Sequence, residues 1–94
     1  MDFLFSEDTQ QMQRTLRQFM DRHVVPQWGE YERIAATGAF PTEVVEPLKK
    51  LAREAGLWNL FLPESRLGAG LTNLEYAPLC EIMGRVHWAP EVFN

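Results

Sequence analysis

The sequence predicts an all-α fold, a small bundle of about four helices plus the start of a fifth. Three observations predict it. Apolar residues recur at helical spacing in successive segments. Proline and glycine punctuate the ends of those segments. The apolar run Leu57 to Leu62, interrupted only by Asn59, is too short for a free-standing helix and has no polar face. It is expected to be an irregular connector that fills the space between helices, followed by a glycine loop.

The first helix is expected from about Glu7 to Val25. Ser6 is placed to cap it, and Glu7 and Asp8 sit where the helix dipole favours negative charge. Met12, Leu16, Phe19, Met20 and Val24 make one apolar stripe. Arg14, Arg17, Gln18, Asp21 and Arg22 fill the other faces. Pro26 is expected to end or kink this helix, because proline lacks an N–H and disfavours helix in the residue before it. Phe3 and Phe5, ahead of the cap, are expected to pack back onto the domain or another part of the protein.

A short second helix follows, over about Gln27 to Ala36. Trp28, Tyr31, Ile34 and Ala35 share its apolar face, and Thr37-Gly38 breaks it. Pro41 suits the first position of a third helix, with Glu43 and Glu46 in its opening turns. Its stripe is Val44, Leu48, Leu51, Ala52 and Ala55. Pro47 is expected at the end of the first turn or at a kink. Gly56 supplies a left-handed stop, with Leu57 folding back on the last turn.

Pro63, Gly68 and Gly70 predict the loop. Thr72 and Glu75 form a capping box, and Leu71 and Tyr76 occupy the staple positions around it. The fourth helix then carries Tyr76, Leu79, Cys80, Ile82, Met83 and Val86 on its apolar side, with Pro78 one turn in. Gly84 loosens its end. Ala89-Pro90-Glu91 opens the fifth helix, with Pro90 at its first position. One turn of helix is unstable alone, so the single domain, residues 1–94, is expected to be incomplete at its C-terminus.

Composition narrows the function. The 94 residues carry 9 basic and 13 acidic side chains, a formal net charge of -4. Nucleic-acid binding needs a basic face that displaces counterions, so it is disfavoured, as is an anionic membrane surface. No apolar run approaches bilayer length. The N-terminus lacks the basic region of a signal or transit peptide. Cys80 is the only cysteine, so no intrachain disulfide forms. These features together lead to an expectation of a soluble, cytoplasmic protein.

Candidate chemistry is sparse. His23 and His87 lie on different elements without a second ligand at metal spacing, so no metal site is expected. Cys80 has no basic neighbour in its own turn and lies on the apolar stripe, so a buried structural thiol is expected. Gly68-Ala69-Gly70 lacks the third glycine and the Lys-Ser/Thr pair of a phosphate loop. Glu43 and Glu46 suit a helix N-terminus rather than acid–base work. Trp28, Trp58 and Trp88 are expected as core or interface aromatics. Composition and spacing therefore supply no catalytic residue.

A set of ordered motifs goes further. Phe40-Pro41 to Glu46 is followed by Leu51-Ala52-Arg53-Glu54-Ala55-Gly56-Leu57, then Leu62-Pro63-Glu64, Gly68-Ala69-Gly70-Leu71-Thr72 and Leu79 to Arg85. With Val25-Pro26 closing the first helix, this series resembles the N-terminal helical domain of acyl-CoA dehydrogenases over nearly the whole chain. The resemblance implies an FAD-dependent enzyme that removes hydrogen from Cα and Cβ of an acyl-CoA thioester. A carboxylate base takes the α-proton and the β-hydride goes to flavin N5. It also implies that the base and the main FAD contacts lie in a middle β-domain and a C-terminal helical domain outside this chain. The isolated chain would then be inactive, its partners would be those domains and the acyl-CoA, and the assembly would be a homo-oligomer. The helix beginning near Pro90 would help line the acyl pocket, which makes Ala89, Val92 and Phe93 the candidate substrate positions. The alternative is a stand-alone helical interaction module without catalysis.

Overall fold

The computed structural model describes residues 7–58 and 73–93. Among these, all regular structure is helical. Four α-helices span Glu7–Phe19 (α1), Trp28–Ala35 (α2), Thr42–Glu54 (α3) and Asn73–Met83 (α4). A π-helical turn, Met20–Val24, and a 3-10 turn, Val25–Gln27, join α1 to α2. A second 3-10 segment, Ala89–Phe93, closes the described chain. The all-α expectation is met. Ser6, Phe3, Phe5, residues 59–72 with the glycine loop, and the Thr72–Glu75 capping box with its Leu71 staple lie outside the described residues.

Helical periodicity places the core. Leu16, Phe19, Met20 and Val24 of the first stripe are buried, and Met12 packs against them. Leu79, Ile82, Met83 and Val86 form the buried stripe of α4 and its following turn, and α4 packs against α1. Val44, Leu48 and Ala52 of α3 are buried as expected, and Val45 joins them at 0% exposure. Leu51 packs at the edge of the core, whereas Ala55 is exposed. The 3-10 segment Ala89–Phe93 packs against α3.

Pro26 neither ends the helical path nor breaks it. The Val25 N–H bonds to the Met20 carbonyl, an i to i−5 spacing, and the Trp28 N–H bonds to the Val25 carbonyl. In a regular helix the proline ring would strike the carbonyl four residues back and leave it without a donor. The wider turn just before Pro26 and the tighter turn around it take up that conflict. The path then runs on into α2.

The third helix begins one residue later than expected. Pro41 is its N-cap, with φ -75° and ψ 60°, and its carbonyl accepts from the N–H groups of Val44 and Val45 at 3.1 and 3.0 Å. Pro47 lies inside the helix, and its missing N–H takes one bond from the ladder. The end of α3 follows the sequence reading closely. Gly56 takes φ 75°. Its N–H bonds to the Arg53 carbonyl at 3.1 Å, and the Leu57 N–H bonds to the Ala52 carbonyl at 2.9 Å. These two bonds are the Schellman pattern. Leu57 folds back into the core at 1% exposure.

Candidate functional site

Ala89, Val92 and Phe93 are brought together on one short turn. The sequence Val86-His87-Trp88-Ala89-Pro90 builds it. The Ala89 N–H bonds to the Val86 carbonyl at 2.9 Å, and the Glu91 N–H bonds to the Trp88 carbonyl at 3.1 Å. Pro90, without an N–H, costs no bond in such a short turn. All three candidate side chains are 0% exposed. Phe93 meets the edge of Phe19 from α1, with ring centroids 5.5 Å apart. Their burial places them within the domain core, against α1 and α3.

The turn before them is tied to α2 by a network that spacing alone did not reveal. Tyr31 stacks face to face on Trp88, with centroids 4.4 Å apart and planes 3° from parallel. The Tyr31 hydroxyl donates to Glu91 Oε2 at 3.2 Å. One residue on, Glu32 Oε1 accepts from the indole N–H of Trp28 at 3.3 Å and meets His87 Nε2 at 2.7 Å. The His87 ring also stands edge-on to Tyr31 and Trp28. Three successive contact positions of α2, at 28, 31 and 32, thus hold residues 87, 88 and 91.

Electrostatics sharpen these contacts. Burial pushes the Tyr31 phenol above its ordinary range, and the neighbouring Glu91 carboxylate adds to the shift. Tyr31 therefore keeps its proton at neutral pH and acts as a donor. The hydrogen bond from His87 holds Glu32 below the ordinary carboxylate value, with that from Trp28 contributing less. On the outer face of α2, Arg33 forks onto Glu30 and lowers that carboxyl too. The Trp88 indole nitrogen is buried without a hydrogen-bond partner among the described residues, so stacking and apolar contact hold that ring.

A separate cleft of about 150 Å³ is lined by Thr15, Gln18, Phe19, Arg22, His23 and Ala55. Phe19 is its apolar floor and also the ring that Phe93 touches. Its lining carries no carboxylate, and His23 is its one side chain of a type that serves as a general base. Among the described residues no cluster of three or more His, Cys, Asp or Glu side chains is arranged to hold a metal.

Cys80 corrects the sequence reading. It is exposed rather than buried. The buried stripe of α4 runs through Leu79, Ile82 and Met83, and Cys80 lies one residue round from it. Its side chain meets Tyr76, one turn back. Burial, with the Cys80 contact second, drives the Tyr76 phenol well above its ordinary range. Trp28, at 37% exposure, is not a core residue of the described structure, which leaves the interface alternative of the sequence reading open. Trp58 is half-buried beneath the Arg53 guanidinium, which sits 4.3 Å from its ring centroid.

Comparison with known proteins gives a consistent picture. The sequence model of "Acyl-CoA dehydrogenase, N-terminal domain" matches residues 6–93. Mouse acyl-CoA dehydrogenase family member 10 is 46% identical over 86 residues, which cover 84% of this chain and 8% of that protein. FadE2 of Mycobacterium tuberculosis, assigned as an acyl-CoA dehydrogenase, is 42% identical over 99 residues, covering 100% of this chain and 24% of that protein. A solved chain from Mycobacterium abscessus, assigned to the same enzymes, superposes with a TM-score of 0.74 at 39% identity. That match covers 95% of this chain and 25% of the solved one. The chain therefore spans a quarter or less of these relatives.

Proposed function

Because this chain belongs to the acyl-CoA dehydrogenase family through its N-terminal domain, we propose that it is the helical first part of an FAD-dependent dehydrogenase. The reaction proposed is α,β-dehydrogenation of an acyl-CoA thioester. The observation that carries this reading is the family match over residues 6–93. The cleft lined by Thr15, Phe19 and His23 does not itself fit a flavin. Its volume of about 150 Å³ is below the roughly 300–1,000 Å³ of ordinary cofactor and ligand pockets. Flavin and catalytic base are assigned, as the family resemblance implies, to parts of the enzyme outside this chain.

What this chain contributes is shape. Ala89, Val92 and Phe93 are proposed to form the helical side of the acyl pocket. Since all three are fully buried here, they act by setting where that wall stands. A wall fixed to within a fraction of an ångström keeps the thioester in line with the reacting groups. Val25, Trp28 and Phe40 are exposed apolar side chains, which suits contact with the remaining domains. No described helix is long and apolar enough to cross a membrane. A cytoplasmic homo-oligomer is the proposed setting.

The test compares two samples: this chain alone, and this chain replacing the matching quarter of the Mycobacterium abscessus protein. Flavin absorbance and acyl-CoA-dependent dye reduction are read for both. The chain alone is expected to be colourless and inactive, and the hybrid yellow and active. A hybrid that folds and binds flavin but never reduces dye with any acyl-CoA would overturn the proposal. A colourless folded dimer of the chain, with no active hybrid, would favour the stand-alone module instead.

A further inference from the structure

We infer that Tyr31 and Glu32 of α2 are positioning residues for acyl-chain selection, although neither belongs to the pocket wall. The inference rests on the proposal that Ala89–Phe93 forms that wall. Its own support is geometric. The wall segment is only five residues long and has few bonds of its own, so its place depends on what grips it. Core packing grips it through Phe93 and Phe19. From the other side, Tyr31 holds Glu91 by a hydrogen bond and Trp88 by ring stacking, while Glu32 holds His87. Residues 87 to 91 are therefore anchored at three points on one short helix. A small movement of α2 passes directly into the segment that follows.

The chemistry it selects is the alkyl portion of the acyl group. Apolar walls discriminate by length, because each methylene that gains or loses contact changes affinity. A shift of the wall changes the fit of a long chain and leaves a short chain nearly untouched. This separates a positioning role from a general structural one, which would weaken all substrates alike.

Two measurements decide it. The first is hydrogen exchange at the Ala89 and Glu91 amides in the 94-residue chain, for Tyr31→Phe, Glu32→Gln and the control Arg33→Ala. Arg33→Ala removes the Glu30 ion pair on the same helix and leaves the anchors in place. Exchange at both amides is expected to rise roughly tenfold in Tyr31→Phe, by a smaller factor of about two in the exposed Glu32→Gln, and to stay unchanged in the control. No change in Tyr31→Phe or Glu32→Gln would overturn the anchoring itself. The second is the ratio of kcat/KM for long and short acyl-CoA substrates in the hybrid enzyme. That ratio is expected to move roughly tenfold through KM, the size of a misplaced methylene contact. Loosened amides with an unaltered ratio would overturn the pocket reading of Ala89–Phe93 and leave the anchoring standing. A uniform loss on every substrate, matched by Arg33→Ala, would overturn the positioning role.

Discussion

The end of α3 and the anchored turn at residues 87–91 solve the same problem in different ways. Each fixes a chain segment that leaves a helix and enters the core. At α3 the solution is local. Gly56 turns left-handed, two backbone bonds close, and Leu57 folds back. At residues 87–91 the solution is long-range, since Glu32 and His87 are 55 positions apart and Tyr31 and Glu91 are 60 apart. A stop built from consecutive residues carries its own instructions. One built from distant side chains exists only after the core has formed, and its strength follows the chemistry of a few polar groups.

Phe93→Ala should have the largest effect. Its ring is completely buried against Phe19, and removing such a ring costs about 3–5 kcal/mol. Thermal or urea unfolding would measure this. A loss below about 1 kcal/mol would mean that the turn is not part of the core. Gly56→Ala comes next. Space is available for a methyl group there, so the cost is conformational, about 1–2 kcal/mol for a non-glycine residue in the left-handed region. The effect should be seen in stability with the 87–91 anchors intact.

Tyr31→Phe is expected to be milder near neutral pH, at about 0.5–1.5 kcal/mol for the lost hydrogen bond. Its distinguishing effect is on pH dependence. Folding raises the Tyr31 pKa, so this group stabilises the fold below the unfolded tyrosine value of 10.0 and loses that contribution as pH rises through the folded value. The variant should flatten the alkaline limb of an unfolding-midpoint profile. An unchanged limb would show that Tyr31 is not the group responsible. Glu32→Gln should give the smallest change at neutral pH, because the carboxylate is solvent-exposed. Folding lowers its pKa from 4.5, so its contribution is present above that value and lost as pH falls through the folded one. The acid limb of the same profile should flatten in this variant alone.

This contrast also explains what the sequence disclosed. The Gly56 stop, the stripes of α1, α3 and α4, and the Thr37-Gly38 break were all legible, because each depends on neighbours within about one turn. Thr37 and Gly38 indeed close the end of α2, with N–H bonds to Ile34 and Ala35 at 3.0 Å and φ 89° at Gly38. That Pro26 disturbs the helix was legible, but the π turn ahead of it was not, since a π turn has no residue signature of its own. Cys80 was misplaced because a six-position apolar list for the fourth helix covers more of its surface than the stripe that packs. At the candidate site, Ala89, Val92 and Phe93 were named through the family resemblance, and they do share one buried turn. Tyr31, Glu32, His87 and Glu91 were not singled out as a group. Tyr31 and Trp28 sit three apart with Glu32 beside them, an aromatic and acidic face on α2. That spacing hints at a contact surface but does not name a partner 55 or more residues away.

The most direct measurement is a structure of the hybrid enzyme with a long-chain acyl-CoA bound. The alkyl chain is expected to lie along the side of the pocket backed by Ala89, Val92 and Phe93, within about 4–4.5 Å of the side chains that those residues support. Tyr31 and Glu32 should still hold Glu91 and His87. An alkyl chain bound wholly between other domains, with the 87–93 turn remote from it, would contradict both the pocket wall and the part α2 plays in setting it.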